Sequence, residues 1–444
     1  MRLLRGAHPS QQVAVAFALA MFIGAGLLYL PASTAGPGSG SFLTALFHST
    51  SAVCVTGLVT VDVPAYYSLF GEVVIMGLVQ VGGFGIMTLT SLLALLVARR
   101  LGLRSRLIAQ TERGGLELGD VRRVIYGVAI LSLVFEAAAA IVLGARFFFA
   151  YDYSVGRAVY HGIFHSVAAF NNAGFALYSD NLVGFVTDAW ISLAVCFAVI
   201  AGGLGFPAWF ELRRLPFAPG RWSLHTKLTL ALTIGLLVFG TVAMLGFEWS
   251  NDGTLGPLTT PGKLVAGFFQ AVTPRTAGFN SVAYGEMEQE TLLVTDMLMF
   301  VGTGSAATGG GIKVTTFAVL ALMVFAEIRG DTTVNAFNRR IPPVAQRQAL
   351  TVAFIALNAV VVGTLVLMAV SPFPLYESLF ETVSAFGTVG LSTGITADLP
   401  AAGKIVLVVL MYLGRVGPQT LGVALVLRER ERLYRHPEER PFIG

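Results

Sequence analysis

The 444-residue chain is poor in charge: Asp, Glu, Lys and Arg make up 12% of it, against a hydrophobic share of 55% and a mean hydropathy of +0.74. A soluble chain of this length needs about a quarter of its residues charged to face water, so a soluble globular protein is excluded and a bilayer is the expected solvent. Cysteine is nearly absent. Cys54 and Cys196 both fall in apolar stretches, which excludes a disulfide framework or thiolate metal site and leaves them as small buried residues. The net charge of +4 and pI near 9.1 come without a basic stripe interleaved with aromatics, so nucleic acid is excluded as a partner. Metal-dependent catalysis lacks its residues too. His48 and His165 fall at matching places in an internal repeat, but no carboxylate or thiol stands at ligand spacing beside them, so no enzymatic role is expected and both are read as hydrogen-bonding within short helices.

Long apolar runs are what the chain has in plenty, at 11–31, 69–98, 121–149, 186–210, 224–247, 291–326, 346–370 and 402–427. Each can cross the ~30 Å of a hydrocarbon core, so an all-α integral membrane protein with eight spanning segments is expected. The first run follows Arg2 and Arg5 and precedes Pro31-Ala32-Ser33, which also fits a cleaved signal peptide. Its length is nearer that of a spanning helix, and the repeat requires it as one.

Between the members of each pair of runs lies a shorter stretch rich in Ser, Thr, Asn and Gly. The four read Phe47-His-Ser-Thr-Ser-Ala-Val-Cys-Val-Thr-Gly57-Leu58, Phe164-His-Ser-Val-Ala-Ala-Phe-Asn-Asn-Ala-Gly174-Phe175, Phe268-Phe-Gln-Ala-Val-Thr-Pro-Arg-Thr-Ala-Gly278-Phe279 and Phe380-Glu-Thr-Val-Ser-Ala-Phe-Gly-Thr-Val-Gly390-Leu391. In each, a Phe stands ten residues before a Gly that is followed by Leu or Phe. The glycines are 117, 104 and 112 residues apart, an internal repeat of one helix, one loop and one helix. Repeats are therefore expected at 1–100, 101–215, 216–335 and 336–444, the last with a cytoplasmic tail, and their re-entrant loops at 40–60, 157–177, 262–281 and 374–393. The helix after each loop carries a further glycine cluster, at Gly82-Gly83-Phe84-Gly85, Gly202-Gly203-Leu204-Gly205, Gly302-Thr303-Gly304 and Gly414-Arg415-Val416-Gly417, read as a break at similar depth. Of the 29 Lys and Arg residues, 22 fall in segments 1–10, 99–123, 211–227, 327–347 and 428–440. The positive-inside rule then places both termini in the cytoplasm and lets the loops enter from outside.

Non-helical backbone at membrane depth must be surrounded by protein or line a water-filled path, so the four loops are expected to converge on one pseudo-fourfold axis. Each begins as a half-helix whose C-terminal end carries partial negative charge and favours a cation. Glycine is needed where the backbone turns its carbonyls toward an ion. Candidate ligands are the carbonyls of Val55, Thr56 and Gly57, of Asn172, Ala173 and Gly174, of Thr276, Ala277 and Gly278, and of Thr388, Val389 and Gly390. No ring of Asp, Glu or Lys joins them, which fits a monovalent cation stripped of water by carbonyls, and Thr388-Val389-Gly390 is the copy nearest the Thr-Val-Gly-Tyr-Gly filter of potassium channels.

These loops, with Arg275-Thr-Ala-Gly-Phe279 and Gly309-Gly-Gly-Ile-Lys313, resemble the Trk/Ktr/HKT superfamily of potassium transporters over nearly the whole chain, and most closely its Ktr-type membrane subunit. The resemblance implies potassium uptake at the plasma membrane, the bacterial inner membrane, with sodium as a candidate second ion. It implies a homodimer with one pore per subunit, seated on a cytoplasmic ring of nucleotide-binding regulatory subunits. It also implies that the glycine-rich stretch at 302–316, inside the 291–326 run, is a gate beneath the filter, formed by Gly302, Gly304, Ser305, Thr308, Gly309, Gly310, Gly311 and Lys313. Arg415, an intramembrane charge that must face the pore or a partner, joins that gate as a barrier to ions or an anchor for loop carbonyls. Lys313 offers a movable charge, and Arg275 is expected to hold the filter by hydrogen bonds. Glu136, Asp296 and Asn358 carry no assignment. The competing reading is an alternating-access, cation-coupled transporter with broken helices at the midplane. Repeats that all share one orientation suit a central pore better.

Overall fold

The computed structural model describes residues 9–36, 40–100 and 121–427. The basic segments 1–10, 99–123 and 428–440 lie largely or wholly outside these residues, as does the tail of the last repeat. Hydrocarbon offers backbone N–H and C=O groups no partner, and the helix satisfies them within one segment. The described chain is accordingly mostly helix, and its one sheet is a hairpin pairing Asn335–Ala336 with Arg339–Arg340.

Five described helices are long and apolar enough to cross a membrane, within Leu69–Arg100, Val121–Ala150, Leu224–Glu248, Pro343–Val370 and Ala401–Leu427. The 186–210 run forms a pair, Ala189–Leu204 and Phe206–Arg214, bent by 95° at Gly205 and counting as a sixth span if taken together. The first run forms the 20-residue helix Pro9–Leu28. The 291–326 run is not one helix: Gln289–Phe300 and Val314–Arg329 are separated by residues 301–313 in extended and turn conformation.

Four short helices stand between the longer ones, Phe42–Val53, Val155–Phe170, Thr260–Val272 and Leu375–Gly387, hereafter the first to fourth half-helix. Ser41, Ser154 and Thr259 cap the first three, each side-chain oxygen accepting a first-turn N–H. The first packs on Pro9–Leu28 and Leu69–Arg100, the second on Val121–Ala150 and Ala189–Leu204, the third on Leu224–Glu248, and the fourth on Pro343–Val370 and Ala401–Leu427. The last helix also packs on the first helix and first half-helix, and Tyr412 donates to the Ala14 carbonyl at 2.8 Å, so the chain closes on itself.

In three copies the Phe that marks the repeat is a fully buried ring, Phe47, Phe164 and Phe380. The third copy differs. Phe268 is only half-buried and Phe269 takes the buried place, because this half-helix ends one residue tighter at Thr273-Pro274. The Ala277 N–H there reaches back four residues to Thr273, whereas Thr56, Ala173 and Val389 each reach back five.

Only two of the four glycine clusters break a helix. Leu69–Arg100 runs unbroken through Gly82–Gly85, and Ala401–Leu427 runs unbroken through Gly414–Gly417. In these copies glycine provides closeness instead: a Cβ on Gly82 would lie 2.2 Å from the Val53 carbonyl oxygen, and one on Gly414 would lie 1.8 Å from that of Phe386. Small residues let the long helices touch the C-terminal ends of the half-helices directly. Gly82→Ala should therefore destabilise by about 1–3 kcal/mol through overpacking. Gly85→Ala, whose Cβ meets nothing within 4 Å, should be neutral or slightly stabilising. Thermal unfolding midpoints of the two variants in detergent compare them.

Candidate ion pathway

Each half-helix ends in a turn that fixes where its last carbonyls face. Thr56, Ala173 and Val389 donate their N–H groups to Ser51, Ala168 and Ser384 at 2.7, 2.8 and 2.8 Å, and Val55, Asn172 and Thr388 donate to Ala52, Ala169 and Ala385 at 3.1, 3.0 and 3.1 Å. This is a Schellman closure, which needs a left-handed residue at its centre. That residue is Val55, Asn172 or Thr388, at φ of 57°, 60° and 50°, with Thr276 at 67° in the third copy. Three of the four are β-branched, and a non-glycine residue held there costs about 1–3 kcal/mol. The Gly57 and Gly390 N–H groups are also turned back, donating to Ser51 Oγ and Ser384 Oγ at 3.0 and 3.1 Å. In a planar trans peptide the carbonyl points opposite to its N–H. With the N–H groups pinned to the half-helix, the carbonyls of Val55, Thr56, Asn172, Thr388 and Val389 point away from it.

What they point toward is read from the glycines, all at positive φ: 96° at Gly57, 64° at Gly174, 73° at Gly278 and 97° at Gly390. A Cβ on Gly57 would lie 2.4 Å from the Ala173 oxygen, one on Gly174 2.9 Å from that of Ala277, one on Gly278 2.3 Å from that of Val389, and one on Gly390 2.0 Å from that of Thr56. Each glycine thus faces the backbone of the next copy, and the fourth faces the first. The twelve residues read from the sequence as one site are brought together in a closed ring of backbone, with every residue except Gly390 buried outright.

Residues 301–313 lie against this ring. The Gly302 N–H donates to the Ile312 carbonyl at 2.8 Å, closing the loop on itself, and Gly304 and Thr308 donate to the carbonyls of Gly203 and Gly202 at 2.9 and 3.3 Å. Gly311 donates to Gly414 at 3.2 Å. Toward the ring, Thr308 Oγ1 is 3.2 Å from the Asn172 amide, a Cβ on Gly309 would fall 1.9 Å from Thr276 Oγ1, and the Gly310 N–H donates to Thr388 Oγ1 at 3.0 Å. The left-handed residues of copies two, three and four therefore all hold the loop. Val55 does not; its methyl would meet a Cβ on Gly82 at 2.9 Å.

The buried Arg415 donates through Nη1 to the Thr308 carbonyl and through Nη2 to that of Gly82 at 3.0 Å, the anchoring arrangement. Lys313 folds back on its own loop, donating to the carbonyls of Gly309 and Gly310, and Ser305 Oγ pairs with Thr315 Oγ1 at 2.9 Å. Arg275 makes its side-chain hydrogen bonds to a neighbouring helix and not to the other filter strands. It occupies the strand position of Cys54, Asn171 and Gly387, behind the ring, and its guanidinium donates to Thr233 of the Leu224–Glu248 helix at 3.2 and 3.4 Å.

His48 and His165 behave as read, each Nδ1 bonded to the carbonyl four residues before it, Thr44 at 2.9 Å and His161 at 2.8 Å. Glu136 has partners the sequence did not disclose: with Gln80 it receives the Asn171 side-chain amide at the end of the second half-helix, at 3.1 and 2.7 Å. Asn358 bonds the Phe354 carbonyl of its own helix at 2.8 Å, and Asp296 Oδ1 is buried without a partner. Glu381, fully buried in the fourth half-helix, was not singled out at all. A comparison of the residue after each buried Phe would have flagged the one carboxylate. Among the described residues no group of three or more His, Cys, Asp or Glu is arranged to hold a metal.

The sequence profile of the TrkH family, described as a cation transport protein, matches residues 4–434. The chain belongs to the TrkH family. Among its relatives, the Ktr system potassium uptake protein B of Bacillus subtilis is 40% identical over 98% of this chain and 97% of its own length. The potassium/sodium uptake protein NtpJ of Enterococcus hirae is 34% identical over 100% of this chain and 99% of its own length. The crystal structure of the potassium transporter TrkH from Vibrio parahaemolyticus has the same fold, with a TM-score of 0.71 at 18% identity, covering 94% of this chain and 84% of the other.

In this TrkH-family chain the contact between loop and ring is directly testable. Gly310→Ala places a methyl 2.4 Å from Thr388 Oγ1, while Thr388→Gly removes that side chain and suits a φ of 50°. Gly310→Ala alone should lower the unfolding midpoint. The double variant should recover part of the loss, with a coupling of about 1 kcal/mol or more in a double-mutant cycle.

Proposed function

We propose that this chain takes up potassium ions across the plasma membrane through a filter made of the ring of backbone carbonyls, gated from below by residues 301–313. The observation that carries the reading is the closed fourfold contact of Gly57, Gly174, Gly278 and Gly390. A carbonyl ring replaces the water of a monovalent cation, and the C-terminal ends of four half-helices add negative potential with no net charge to trap a divalent ion. Potassium as the cargo is supported by the names of the Bacillus subtilis relative and the Vibrio parahaemolyticus structure. The Enterococcus hirae relative, named for potassium and sodium, supports sodium as a second ion.

In this reading the chain is four tandem repeats with eight spanning segments, both termini lie in the cytoplasm, and two chains associate on a cytoplasmic nucleotide-binding regulatory ring. The words "Ktr system" and "protein B" in the relatives' names fit a multi-component assembly. The gate is supported by bonding at both faces: loop N–H groups and hydroxyls meet the filter strands, while Arg415 and Lys313 neutralise loop carbonyls that would otherwise sit without partners at membrane depth.

Uptake of potassium, rubidium, sodium and lithium into proteoliposomes checks the filter. Gly57→Ser, Gly174→Ser, Gly278→Ser and Gly390→Ser should each weaken the preference for potassium over sodium, and four variants with the parent's selectivity would sink the assignment. For the gate, Arg415→Gln or deletion of Gly309 to Gly311 should raise potassium flux several-fold without any regulatory partner. A folded deletion variant with the parent's flux would rule the gate out.

A further inference from the structure

Carbonyls aimed at an ion repel one another, so a filter strand needs support along its outward limb as well as at the half-helix end. We propose that the side chain following the buried Phe of the second, third and fourth half-helices is a positioning residue, bracing the outward limb of its own filter strand, and that His165, Gln270 and Glu381 set selectivity this way. The proposal rests on the filter reading above. In the second copy the Leu177 N–H, three residues beyond Gly174, donates to His165 Nε2 at 3.2 Å. In the third, Gln270 Nε2 donates to Ser281 Oγ, three beyond Gly278, at 3.1 Å, and Tyr284 donates to Gln270 Oε1 at 2.7 Å. In the fourth, Ser392, two beyond Gly390, donates to Glu381 Oε1, and Thr396 donates to Oε2 at 3.0 Å.

Three side chains of different chemistry thus make a comparable contact, from one helix position to the limb two or three residues beyond the glycine. All are buried: His165 and Gln270 are 1% exposed and Glu381 is 0%. Because both ends of each brace belong to the same loop, it fixes the distance between half-helix and limb without involving the neighbouring copies. The first copy is the exception. His48 stands at the brace position and Thr60 at the limb position three beyond Gly57, yet His48 Nε2 and Thr60 Oγ1 are both buried with no protein partner. The first strand is held by Ser51 at its inner end alone.

The test compares potassium and sodium uptake by the full-length protein in proteoliposomes. Glu381→Leu, Gln270→Leu and Ser281→Ala should each lower the potassium-to-sodium ratio about tenfold, since a buried hydrogen bond of this kind is lost. Glu381→Gln, which keeps an acceptor oxygen, should stay near the parent, and His48→Phe should leave the ratio unchanged. Ser281→Ala alters only the limb, so it keeps the test decisive where a half-helix variant fails to fold. A merely structural role would lower yield and total flux together while the ratio held. If Gly390→Ser loses selectivity and the brace variants keep it, the brace is overturned and the filter stands. If Gly390→Ser keeps it as well, the filter reading itself has failed.

Discussion

Everything at the centre of this molecule depends on where a few backbone N–H groups go. At membrane depth each must find an acceptor, and here those of residues 55–57 and 388–390 are returned to the half-helix that precedes them. Peptide planarity then sends the paired carbonyls the other way. The turns bring the four glycines into contact, each against the carbonyl-bearing backbone of the next copy. The strain of left-handed Val55, Thr276 and Thr388 belongs to the same arrangement, because the Schellman turn exposes the carbonyls only if that residue takes a positive φ.

The half-helices hold the centre because their C-terminal ends are buried. Buried Phe47, Phe164, Phe269 and Phe380 lock each into its bundle of longer helices, and Gly82, Gly202 and Gly414 let those helices approach the half-helix ends to backbone contact. Burial of aromatic rings supplies the grip, and the lack of a side chain sets the spacing. Neither alone would hold a polar turn so deep in an apolar environment.

Much of this was legible in the sequence, for physical reasons. A fourfold repeat of Phe and Gly marks four copies of one turn, and only glycine tolerates both the backbone angles and the neighbour's carbonyl, so the ring residues declared themselves. The non-helical stretch at 301–313 showed itself by its lack of helix propensity inside an apolar run. What could not be read is what depends on partners distant in the chain. Gly82 and Gly302 look alike as glycine clusters, but one lies in an unbroken helix and the other opens a loop, and the difference rests on what packs against each. That the hydrogen bonds of Arg275 run to Thr233, in a helix well before it in the chain, is likewise not readable from the local sequence. The shift from Phe268 to Phe269 goes with a turn in which the Ala277 N–H reaches back four residues instead of five, a one-residue difference that a repeat of residue types does not display.

The loop at 301–313 is attached unevenly, and that has a mechanical consequence. Asn172, Thr276 and Thr388 meet it on three sides, while on the side of the first repeat Val55 offers only a methyl group and Arg415 reaches across to Gly82. A tether fixed at three corners and tied at the fourth by one cation has a single direction of least resistance. On the side of the first repeat the loop therefore rests on one guanidinium, and the load on that corner falls on a single charged group.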